Sequence, residues 1–199
     1  MTGLREKQKQ QRKEAILQAA TELFEKHGYN ATTVEQIAEK AAVSAPTVFN
    51  YFGSKQEILF ALAVRADRLA LEEALEHLPS MDNMVDSMSH INSLVVRHEL
   101  SMLPLSIWRE ICNSPYSSVS KGYASVTQRL TEQTAQQLRV AQAKGRLTKH
   151  HDAHFIAQFL HDYSSLMFTQ LVNQEVPDLD AYDRHIRQAF ELIFNGLHP

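Results

Sequence analysis

The stretch Thr32–Lys55, TTVEQIAEKAAVSAPTVFNYFGSK, fixes more of this chain's architecture than any other. Thr33 stands three residues before Gln36, the spacing at which two side chains satisfy each other's orphan N–H groups at a helix start. Ser44 opens a second helix, with Pro46 in its first turn, where a missing N–H costs little. Gly53 is suited to the left-handed conformation that ends such a helix. Ser54 and Glu57 repeat the capping-box spacing and start a third. Two short helices joined by a turn of three to four residues outline a helix-turn-helix. Val34, Ile37, Ala38 and Ala41 fall on the inner face of the first helix, with Val43 and Val48 placed to pack on them.

The remaining chain extends this helical pattern. Six glycines and six prolines punctuate 199 residues, and no run alternates as a half-buried strand does. Apolar positions at helical spacing predict helices near Lys9–His27, Lys55–Leu78, from beyond Asp82 to Leu100, and from Pro104 to the turn Asn113-Ser114-Pro115. Others are expected at Ser117–Lys144, from Asp152 through Leu171, and at Asp178–Asn195. With the helix-turn-helix pair this predicts an all-α fold of about nine helices. Residues 2–13 are expected to fray. The organisation expected is an N-terminal three-helix domain over residues 1–55, with the motif at 33–52, and a C-terminal helical domain over 56–199. The helix after Lys55 bridges the two without a flexible joint.

Several classes are disfavoured by composition. The longest apolar run, Ile58–Val64, is far short of a bilayer span, so no membrane association is expected. The charged N-terminus lacks a signal-peptide core, and the single cysteine, Cys112, leaves no intrachain disulfide; a cytoplasmic location is expected. Residues 1–55 carry eight Lys/Arg against six Asp/Glu, whereas 56–199 carry twelve against seventeen. A polyanion would therefore meet the N-terminal end more readily.

The run ILQAATELFEKHGYNATTVEQIAEKAAVSAPTVFNYFGSKQEIL resembles the DNA-binding domain of the TetR family of transcriptional regulators. The elements that carry the resemblance are the IL-AA--LF helix, its following glycine, TTV--IA, the VS start of the recognition helix, the YF end and the SK opening. It implies a homodimer with two reading heads, bound to a double-stranded DNA operator of pseudo-palindromic sequence. It further implies a repressor released by a small apolar or amphipathic effector, with neither enzymatic activity nor cofactor. The alternative is a DNA-binding protein of the same fold answering to a protein partner or to no ligand. The recognition helix would begin at Ser44. By the same resemblance Ala45, Pro46, Thr47 and Asn50 face bases or nearby backbone, and Thr33, Phe49, Tyr51 and Lys55 lie toward phosphates. Thr and Asn side chains can hydrogen-bond base edges in a major groove, which suits those roles. Two residues depart from the family pattern: Ala42 stands where a turn glycine is usual, and Phe49 replaces a common tyrosine and cannot donate to a phosphate. The basic residues Arg5–Lys13 are either DNA-contacting or a solvated terminus.

In the C-terminal part Met88, His98, Met102, Trp108, Tyr123, Phe159, Tyr163 and Met167 fall on or beside inward faces. Individually each could simply fill core; together they predict an apolar effector pocket near Trp108 and Tyr163. The last two long helices are apolar on more than one side, and Leu166, Thr169, Val172, Ile186, Phe190, Ile193 and Leu197 are the expected dimer interface, where the resemblance places a four-helix contact. His150, His151, His154 and His161 cluster in sequence, but no cysteine or carboxylate completes a ligand set, and Asp152 is better used as a helix cap; no metal is expected.

Overall fold

The computed structural model describes residues 2–76, 83–114 and 121–196, and all regular structure among them is α-helical. The described helices are α1 (Thr2–His27), α2 (Val34–Lys40), α3 (Ala45–Phe52), α4 (Lys55–Glu76), α5 (Met84–Met102), α6 (Leu105–Cys112), α7 (Lys121–Ala143), α8 (Ala153–Asn173) and α9 (Leu179–Asn195). The all-α fold with an N-terminal helix-turn-helix is as expected from the sequence. One end differs: α1 is helical from Thr2 rather than from near Lys9. Its first turns are built almost wholly from Arg, Lys, Gln and Glu, all strong helix formers, and the Gln10 amide donates to Glu14 one turn on, at 2.8 Å. Leu78, Pro79, Pro115, Ser117 and Leu197, and the side chains of Leu75 and Tyr123, lie outside the described residues.

Packing gathers the chain into two units, Met1–Ala66 with Ser101–Tyr123, and Asp67–Leu100 with Ala124–Pro199. In the first, α1 packs on α2 and on α6, and α2 packs on α3. Its core holds Ile16, Ala20 and Phe24 of α1, Ile37 of α2, Val48 of α3, Ile58 and Leu62 of α4, and Ile107, Trp108 and Ile111 of α6. The sequence boundary drawn between residues 55 and 56 falls inside this unit, because the start of α4 and all of α6 share its core. In the second unit α8 packs on α9. Its core includes Val85 and Val96 of α5, Leu138 of α7, Ile156, Leu160 and Leu171 of α8, and Tyr182, Ile186 and Phe190 of α9. Polar ties join α5 to α9: the Tyr182 hydroxyl donates to Asn92 Oδ1 at 2.9 Å, and Arg97 and Arg187 pair with Asp183 and Asp86 at 2.6 and 2.7 Å.

The caps explain where the short helices stop and start. Thr33 and Gln36 close a full capping box on α2, and the Asp152 carboxylate accepts the N–H groups of His154 and Phe155 at the start of α8. The turn between α2 and α3 places Ala42 at φ +54°, the left-handed region, among the described residues a conformation otherwise taken only by glycines. That conformation strains a Cβ. Ala42→Gly is therefore expected to stabilise the protein by about 0.5–1 kcal/mol, the relief of strain exceeding the added chain entropy of the unfolded state. Thermal unfolding would show a rise of a few degrees; a fall would mean that the turn relaxes around alanine.

Candidate nucleic-acid interface

The presentation of α3 begins with its N-cap. The Ser44 hydroxyl accepts the Thr47 N–H at 3.3 Å and lies 2.8 Å from Thr47 Oγ1, so the first turn is tied at both backbone and side chain. Gly53, at φ +80°, closes the other end through an N–H donated to Phe49 O at 2.8 Å. Between the caps Val48, 1% exposed, anchors the helix to α2 and the core, which turns the opposite edge outward. On that edge Ser44, Pro46, Phe49 and Asn50 are exposed, while Ala45, Thr47 and Tyr51 are half-buried beside it. Asn50 has no hydrogen-bond partner among the described residues, so its amide is available as donor and acceptor together. Phe49, 48% exposed, presents a large apolar ring next to it.

Lys55 behaves differently from its expected role. Its ammonium donates to the carbonyls of Tyr29 at 2.7 Å, Thr32 at 2.8 Å and Asn30 at 3.4 Å, and it lies 4.3 Å from the centre of the Tyr29 ring. All three N–H donors of the side chain are thereby engaged with the α1–α2 loop. Burial holds the ammonium below its usual pKa. The side chain is a latch for the reading head and not a free phosphate-seeking arm. Lys55→Met is expected to destabilise the protein by about 2 kcal/mol, the scale of charge-assisted hydrogen bonds replaced by an apolar stem. Chemical denaturation would show it as a lower midpoint. Thr33 is exposed; its Oγ1 accepts the Gln36 N–H at 3.2 Å and its own N–H donates to Gln36 Oε1 at 2.9 Å. Flexible-tail contacts are replaced by a helical presentation: Arg5, Lys9, Arg12 and Lys13 share one face of α1, and all are exposed.

In the second unit a cavity of about 140 Å³ is lined by residues of α4, α5, α7, α8 and α9. Met88, of the residues expected to line an effector pocket, is in its wall, and Tyr163 and Met167 pack on the same core. Phe159 instead lines a separate pocket of about 380 Å³ beside Phe155 and His151. His98 and Met102 are half-buried on α5. The expectation for Trp108 requires correction: at 1% exposure it is spent in the core of the first unit and lines neither cavity. The residues expected at a dimer surface divide between interior and surface. Val172, Ile186 and Phe190 are buried within their own unit and have no surface left to present, whereas Leu166 is 53% exposed and Thr169 and Ile193 are half-buried.

Sequence reading passed over the polar residues of the 140 Å³ cavity. Asp67 and Glu99 are buried and hydrogen-bonded to each other; loss of hydration pushes Asp67 up to about 7, and burial with the neighbouring Asp67 charge raises Glu99 well above the carboxylate range. Thr131 and Asn92 stand in the same wall. A signal was present, because Asp67 interrupts the buried stripe Ala63, Ala66, Ala70 and Ala74, and Glu99 follows Val96 at helical spacing. Among the described residues no group of three or more His, Cys, Asp or Glu is arranged to hold a metal, and no helix is long and apolar enough to cross a membrane.

Comparison with known proteins places the reading head in context. The family of bacterial regulatory proteins, tetR family, matches residues 16–62. The transcriptional regulator TcmR of Streptomyces glaucescens is 38% identical over 87 residues, which cover 44% of this chain and only 38% of TcmR. UidR of Escherichia coli K12, also a helix-turn-helix transcriptional regulator, is 26% identical over 92% of this chain and 90% of its own length. Among solved structures, the Thermus thermophilus repressor FadR in complex with lauroyl-CoA superposes with a TM-score of 0.74 at 20% identity, covering 94% of this chain and 95% of that one. The capped and exposed α3, the matched N-terminal region and these similarities have one common reading: residues 16–62 match the bacterial regulatory proteins of the tetR family, and the chain as a whole has the fold of such regulators.

Proposed function

We propose that this regulator is a cytoplasmic, homodimeric repressor that grips a pseudo-palindromic operator and lets go when a small molecule occupies the second unit. The observation that carries the DNA half of this reading is the edge Pro46–Phe49–Asn50, exposed on a helix locked at both ends and anchored by Val48. A helix of this kind fits a major groove, and two related heads about 34 Å apart would meet successive grooves on one side of the duplex. Leu166 on α8 and Leu192 on α9, both more than half exposed, support pairing of two copies through these helices. Leu166→Arg should then shift the protein from dimer to monomer in sedimentation at micromolar concentration.

The effector half rests on the 140 Å³ cavity of the second unit, which α4 helps to line through Asp67 and Leu71. α4 begins at Lys55, latched to the reading head, and runs without a break to Glu76. A ligand that binds better to one setting of α4 shifts the population of that setting by its differential affinity and no more. Selection of bound duplexes from a random pool tests the reading. Two inverted half-sites with a fixed spacing are expected; enrichment of no sequence, or of a single unpaired site, would overturn it.

A further inference from the structure

The 140 Å³ cavity carries chemistry that singles out one kind of occupant, and the inference below rests on its being the effector site. Its wall is apolar over Leu71, Met88, Ile91, Val95 and Leu160 but includes the carboxyl of Asp67. Glu99 backs that carboxyl, and neither Lys nor Arg is among the described lining residues. His161 also lines it, and burial lowers its pKa, so it stands neutral near pH 7 and supplies no counter-charge. Thr131 is independent of the acids and points the same way. It is 2% exposed, lines the cavity, and its hydroxyl has no hydrogen-bond partner among the described residues. A buried hydroxyl without a partner is costly, and natural interiors rarely keep one unless a ligand or water completes it. A volume of about 150 Å³ accepts a molecule about the size of benzene.

We propose that this cavity binds a small organic cation, an ammonium on an apolar body no larger than about a benzene ring, with Asp67 receiving the charge, Glu99 behind it and Thr131 completing the polar contacts. The assignment excludes acidic effectors, which would bring a second negative charge against a buried acid. It also separates this chain from FadR of Thermus thermophilus, whose bound lauroyl-CoA is both anionic and far larger than the cavity. Ionisation of the acid pair and cation binding are linked, so affinity should rise with pH. The groups involved are Asp67 on α4, Glu99 on α5, His161 on α8 and Tyr182 on α9 near Glu99; α7 brings only the hydroxyls of Thr131 and Thr134.

The test is calorimetric titration of the full chain with benzylamine, benzyl alcohol and benzoate at pH 8 and pH 5.5, with duplex binding measured on the same samples. Benzylamine is expected to bind at least about tenfold more tightly than benzyl alcohol at pH 8, benzoate not at all, and the preference should shrink at pH 5.5. Asp67→Asn should bring the amine and the alcohol to within about threefold of each other; its melting temperature shows whether the variant is folded. Thr131→Val should raise the melting temperature of the free protein while weakening benzylamine several-fold, a pairing of effects that a merely structural hydroxyl would not give. Equal binding of amine and alcohol, tighter benzoate, or no binding of any probe at 10 mM, roughly the weakest affinity such small bodies reach, overturns the inference. A chain that binds duplex DNA but no amine overturns this inference alone. A chain that binds no DNA overturns the proposed function whatever the probes do.

Discussion

Asn50→Ala is expected to weaken binding to the selected operator by roughly 5- to 150-fold, the cost of about 1–3 kcal/mol for one lost base contact. Binding to random duplex should hardly change, because non-specific affinity comes from phosphate neutralisation and Asn50 carries no charge. The exposed, unengaged amide is what makes this position the strongest candidate on α3. Thr47→Ala should have a smaller direct effect, since Thr47 Oγ1 already lies 2.8 Å from Ser44 Oγ. Its loss also loosens the N-cap, so part of its effect should appear as reduced stability. Gel-shift titrations on operator and random duplexes, repeated at two salt concentrations, separate the terms. An unchanged operator-to-random ratio in Asn50→Ala would remove α3 as the reader.

The second large effect concerns pH. Asp67 is raised from 3.8 to about 7 in the folded protein and Glu99 is raised with it, so the folded state holds protons that the unfolded chain releases. Between about pH 4 and pH 7 the unfolded state therefore binds fewer protons, and stability falls as pH rises through that window. The difference for Asp67 corresponds to at most roughly 4 kcal/mol. Exposed pairs act the other way: Lys40 holds Glu22, and Arg139 holds Glu132, below the usual range, and what those contacts contribute is lost on acidification below about pH 4.5. A stability maximum on the acid side of neutrality is expected from the sum. Asp67→Asn should flatten the fall and melt several degrees above the unsubstituted protein at pH 8, with little advantage at pH 5. Thermal melts from pH 4.5 to 8.5 decide it, and a curve that rises steadily to pH 8 would show that the pair is hydrated.

What could be read from the sequence was whatever local chemistry decides. Thr33, Ser44, Gly53 and Asp152 act through groups two to four residues away, so their spacing alone located helix ends, and the helix-turn-helix followed. Ala42 was legible only through the resemblance, as the residue standing where the family usually has a turn glycine, and it is the one at φ +54°. Long-range choices were not legible. Nothing in the spacing of Trp108 distinguishes a pocket wall from the core of the first unit, where α6 carries it. Val172, Ile186 and Phe190 have the apolar character an interface needs, but so does the interior they fill. Asp67 and Glu99, 32 positions apart, become a pair only once α4 and α5 are folded. Lys55 reads as a basic residue at a helix start, and only the folded loop of Tyr29–Thr32 turns its charge inward.

That inward turn has a mechanical consequence. Three carbonyls gripping one ammonium leave the joint between the α1–α2 loop and α4 without slack, in the way a pinned truss differs from a hinged one. A 22-residue helix is about 33 Å long, so a swing of about 5° at one end becomes a displacement of about 3 Å at the other. The Lys55 side chain adds its grip to the packing of Ile58, Leu59 and Leu62 at the same end of the helix. Shortening that side chain would loosen the junction between the α1–α2 loop and the start of α4.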